Sequence, residues 1–172
     1  MTVPTATDQR RLSGAGVALL VLGLWGALVP FAGPSFGYGM GGTPAWTWSE
    51  SHLTLHLLPG LAAIVGGLIV LRGREQAQRL LGAVLAAAGG TWFLVAPTLH
   101  PLWAPSAMGG MGSMDMGDSA MSSALSGLGY HYGTGALIAL IGAYAVGALA
   151  ALGTSAPTAA ERASAPTASR RG

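Results

Sequence analysis

Cysteine is absent from this 172-residue chain, and so is lysine. The first absence excludes disulfides, thiolate metal sites and thiol catalysis. The second leaves arginine as the source of the basic isoelectric point near 9.5. Charge of either sign is scarce, because Asp, Glu, Lys and Arg together make up 8% of the residues, against roughly 25% in soluble domains. So few charges cannot coat a water-soluble surface. No glycine-rich phosphate loop leads into a lysine, and the outward carboxylates Glu50, Asp115 and Asp118 pair with no nucleophile at a catalytic spacing. The expectation is therefore a protein that is not an enzyme and does not bind nucleic acid.

Long uncharged runs are what the chain does have. Leu12 to Ser49, Ser51 to Leu71, Leu80 to Met114 and Ser119 to Ala160 contain no charged residue, and each can hold the ~20 apolar residues that cross a ~30 Å hydrocarbon core. The apolar windows inside them are Ser13 to Phe31, Leu53 to Leu71, Leu80 to Leu99 and Tyr130 to Leu152. They predict an all-α membrane protein with four transmembrane helices arranged as two tandem helical hairpins. The organisation expected is a cytoplasmic segment 1–12, a first hairpin 13–72, a cytoplasmic loop 73–79, a second hairpin 80–152 with an outer loop 104–129, and a disordered tail 153–172.

Arginine sets the orientation. Arg10 and Arg11 precede the first window, Arg72, Arg74 and Arg79 separate the second from the third, and Arg162, Arg170 and Arg171 follow the fourth. The positive-inside bias puts these segments, and so both termini, in the cytoplasm of a plasma-membrane protein. Arg10-Arg11 before an apolar run also has the look of a signal peptide. An internal match argues that the first window is retained.

That match is a pair of motifs recurring in order. Gly23-x-Trp25-x4-Pro30 in the first window returns as Gly90-x-Trp92-x4-Pro97 in the third, and His56-x3-Gly60-x6-Gly67 in the second returns as His131-x3-Gly135-x6-Gly142 in the fourth. The unit is a helical hairpin, and two copies in one sense predict a parallel duplication about an axis along the membrane normal. With these motifs the span Gly14 to Leu152 resembles the SPW-repeat integral membrane proteins of actinobacteria. The Ser-Pro-Trp triplet itself is replaced by Val29-Pro30-Phe31 and Ala96-Pro97-Thr98. The resemblance implies a membrane fold and no established activity.

Within the motifs, Pro30 and Pro97 are expected to end their helices, and Pro59 to kink the second helix and free the carbonyl near Leu55. Trp25, Trp92 and Trp103 read as interfacial belt residues with Trp46 and Trp48 of the outer loop. The glycines seven apart read as close-packing stripes. All four histidines, His52, His56, His100 and His131, fall in the outer half. Two equivalent histidines near a pseudo-twofold axis can meet, either as caps for freed carbonyls or as metal or proton ligands.

The outer loop 104–129 carries Met108, Met111, Met114 and Met116, and with Met121 it holds five of the seven methionines. Thioether and imidazole together suit copper, so these four methionines with His100, His52, His56 and His131 form the candidate metal set. The bland reading is a low-complexity linker. The functional expectation is an accessory or structural membrane protein, with copper handling outside the cytoplasm as one alternative and a small transporter or channel subunit as another. Its partners are the lipid bilayer and either a second copy or a larger membrane complex.

Overall fold

A computed structural model describes residues 5–38, 44–103 and 125–154. Four helices long and apolar enough to span a bilayer account for nearly all of them, with no strand among the described residues. We label them α1 (Ala6–Ala32), α2 (Glu50–Arg72), α3 (Gln76–Leu99) and α4 (Leu125–Gly153).

All four helices begin before the apolar windows that announce them, α2 at Glu50 ahead of Leu53. At the start of α1, Thr5 and Asp8 form a reciprocal capping box: the Asp8 N–H donates to Thr5 Oγ1 at 3.2 Å, and the Thr5 N–H donates to Asp8 Oδ2 at 3.2 Å. This satisfies two donors and carries the helix seven residues beyond the apolar window, into the expected cytoplasmic segment 1–12. Likewise α3 begins at Gln76 behind a Glu75/Gln78 box, so the loop expected at 73–79 shrinks to the turn before it. α4 starts at Leu125, inside the expected outer loop.

Pro30 and Pro97 lie inside the last turns of α1 and α3. Each helix runs two residues past its proline and tightens into a 3-10 turn, Gly33–Phe36 and His100–Leu102 respectively.

The helices are held by backbone contact through glycine. A Cβ built on Gly23 would lie 2.8 Å from the Gly60 carbonyl oxygen, and one on Gly60 would lie 2.8 Å from that of Gly23. The α3–α4 seam repeats the arrangement: a Cβ on Gly90 would lie 2.8 Å from Gly135 O, and one on Gly135 would lie 2.9 Å from Gly90 O. Surrounding lipid is as apolar as the side chains, so such close van der Waals approach, and not hydrophobic burial, drives association. Gly66 and Gly82 do the same between α2 and α3.

The fourth seam, α1 on α4, is looser. At the motif offsets Leu22 stands where α3 has Gly89, and Ile141 where α2 has Gly66, and both branched side chains pack inward and hold the backbones apart. Leu19, Ala63, Ala86, Phe93 and Ile138 fill the centre. The outside carries Val17, Val21, Leu61, Val65, Leu81, Val84, Leu137 and Leu140, all exposed. That inversion of a soluble surface fits contact with lipid acyl chains.

Candidate functional site

At the end of the bundle opposite the α2–α3 turn, α2 and α4 each open by one residue into a π turn, Leu53–Leu57 and Leu128–Tyr132. Histidine is the fourth residue of both. The wider turn swings the ring inward, and His56 and His131 meet with centroids 4.5 Å apart and planes inclined by 33°. Both are buried, at 4% and 6% exposure.

Indole donors brace the two turns. Trp92 Nε1 donates to Thr54 O at 2.8 Å, and Trp25 Nε1 donates to Gly129 O at 3.0 Å. Each acceptor lies two residues before a histidine, and each donor comes from the other hairpin. This revises the expectation at Pro59. In a π register the missing Pro59 N–H would have served Thr54, so Thr54 O is the carbonyl left over, and Trp92 meets it. Gly129 O is further satisfied by Thr134 Oγ1 at 2.6 Å.

Around the pair stand Phe93, 6.1 Å from the His56 ring, and Tyr130, 5.8 Å from it. Tyr130 donates to Tyr38 O at 2.7 Å, and the Tyr38 hydroxyl donates to Leu125 O at 3.1 Å. These bonds clasp the entry of α4 to the end of α1, and burial raises the Tyr38 phenol above its ordinary value. His52 continues the row of rings, 6.2 Å from His56. Its Nδ1 lies 2.8 Å from Thr47 O. A carbonyl only accepts, so Nδ1 is the donor in this contact.

The Nδ1 atoms of His56 and His131 are fully buried without a hydrogen-bond partner among the described residues. The backbone of Gly26 is the partner on the other side of the His56 ring. An unsatisfied buried polar atom costs about 1–3 kcal/mol, and here two belong to adjoining rings. His100 stands apart from this row: it is buried edge-on against Trp103 at 5.5 Å, with Nε2 also unpartnered. The four candidate methionines, Met108, Met111, Met114 and Met116, lie outside the described residues. Among the described residues no three His, Asp or Glu side chains converge as a metal-holding group.

Motif spacing alone brought His56 and His131 to equivalent positions, and the structure sets them side by side. The bracing role of Trp25 and Trp92 escaped the belt reading. Its signal was the recurrence of tryptophan at one place in both motifs, which a belt does not require. No protein-family model, curated protein or solved structure matches this chain.

Proposed function

We propose that the chain is an accessory or structural protein of the plasma membrane, without catalysis of its own, crossing four times with both termini in the cytoplasm. Charge sorting carries this reading. Arg10, Arg11, Arg72, Arg74 and Arg79 gather at one end, where Arg79 Nη1 donates to Gln9 Oε1 at 3.2 Å, and His52, His56, His100 and His131 belong to the other. Such a bias retains the arginine end inside. Two copies of one hairpin build the body, a reading supported by the matched π turns and the reciprocal Trp25 and Trp92 bonds. Its partners are lipid and either a second copy or a larger membrane complex. Reporters fused after Gly172 and beside Arg74 are expected to be active only in the cytoplasm. An external C-terminal reporter overturns the orientation.

Copper handling outside the cytoplasm is the second reading, and one observation favours it. The loop bearing Met108, Met111, Met114 and Met116 leaves at Trp103 and returns at Leu125, both at the end where the unpartnered histidines lie. Metal analysis of the purified protein after copper exposure separates the two. Stoichiometric copper supports handling, and metal-free protein leaves the accessory role.

A further inference from the structure

We infer that the arginine end of the α2–α3 seam seats one anionic phospholipid, with its phosphate on Arg72 and Gln78 and an acyl chain in the groove beside them. The inference rests on the membrane reading and adds the class of lipid and its place. Shape, charge and donor chemistry each support it.

A groove of about 450 Å³ opens along this seam, walled by Val65, Leu68, Ile69 and Leu81 and ending at Arg72 and Gln78. That volume is in the range of sites for small molecules. The seam beneath is closed, because a Cβ on Gly82 would lie 2.7 Å from both the Gly66 carbonyl oxygen and the Ile69 Cβ. Val65 and Leu81 are 45% and 65% exposed, so an occupant enters from the bilayer. Val65 and Arg72 are seven residues apart on α2, about 10 Å of helix. An occupant that meets both ends is apolar along that length and charged at its tip.

The charge it meets is uncommitted. The Arg72 guanidinium has no hydrogen bond or ion pair among the described residues, whereas Arg79 is held by Gly73 O at 2.8 Å and Gln9 Oε1 at 3.2 Å. Glu75, the nearest carboxylate in the chain, accepts from the Gln78 N–H as a cap and does not line the groove. Gln78 Oε1 in turn accepts from the Arg74 N–H at 3.1 Å and the Glu75 N–H at 3.4 Å. Two N–H donors identify that atom as the amide oxygen, so Nε2 is a donor. Guanidinium and amide N–H groups together suit phosphate oxygens. Basic pockets between helices on the cytoplasmic side take acidic headgroups, and in the orientation proposed above this end meets that leaflet. A phosphate free in water would leave the apolar length unused.

The test is native mass spectrometry of the full chain in detergent, titrated with phosphatidylglycerol or with phosphatidylcholine of the same chains. One phosphatidylglycerol is expected to stay bound at concentrations where phosphatidylcholine does not. Arg72→Gln should weaken that binding about fivefold, and Arg74→Gln, which removes the same charge outside the groove, should leave it as in the parent. Val65→Trp fills the groove without changing charge and should also weaken it. Equal binding of the two lipids, equal loss in Arg72→Gln and Arg74→Gln, or displacement of the lipid by equimolar inorganic phosphate overturns the seat. So does binding only by a chain ending at Thr154, which would make the C-terminal segment the occupant. Failure of the parent to float with vesicles of either lipid overturns the membrane reading as well. Should Arg72→Gln or Val65→Trp fail to fold, the lipid preference of the parent and its response to phosphate decide.

Discussion

Two tryptophans at matched positions have unequal work. Trp92 Nε1 donates to Thr54 O, a carbonyl that Pro59 cannot serve, whereas Gly129 O receives both Trp25 Nε1 and Thr134 Oγ1. Replacing indole by phenyl keeps an aromatic ring and removes the donor. Trp92→Phe is therefore expected to cost about 1–2 kcal/mol of stability, and Trp25→Phe distinctly less. Denaturation midpoints in mixed detergent read the difference. Equal losses would mean that ring packing, and not the hydrogen bond, is what both positions supply. The same scale explains why this role was hidden from the sequence. Hydropathy and belt statistics describe where an indole sits, but the acceptor depends on a π register that one inserted residue creates.

Helices assemble here by what their glycines allow. A Cβ on Gly60 meets the Ala27 Cβ at 2.7 Å and the Gly23 carbonyl at 2.8 Å, whereas one on Gly147 meets nothing within 4 Å. Gly60→Ala is expected to destabilise the α1–α2 seam by about 1–3 kcal/mol. Gly147→Ala removes backbone freedom without a clash and should be neutral or stabilising by up to about 1 kcal/mol. Thermal unfolding in detergent distinguishes them, and similar midpoints for the two would contradict the seam. The spacing of Gly60 and Gly67, and of Gly135 and Gly142, announced these seams in the sequence, since seven residues return to one helix face. What spacing does not carry is that Leu22 and Ile141 hold the fourth seam apart. The helix starts were similarly hidden, because Thr5 and Asp8 act through a cap that apolar periodicity ignores.

For the whole molecule, the four spans follow directly from the uncharged runs, and the histidine pair follows from the order of two short motifs. Its burial and its unpartnered nitrogens do not, because they depend on the approach of α2 and α4 across the bundle. Everything proposed for the site assumes that the histidine end faces outward. Because the chain contains no cysteine, one introduced thiol reports its own location without background. Phe36 and Leu102 are exposed at the histidine end, and Arg74 is exposed at the other. In intact cells a membrane-impermeant maleimide is expected to label Phe36→Cys and Leu102→Cys, and to label Arg74→Cys only after the membrane is opened. Labelling of Arg74→Cys in sealed cells, with Phe36→Cys and Leu102→Cys protected, would contradict the account.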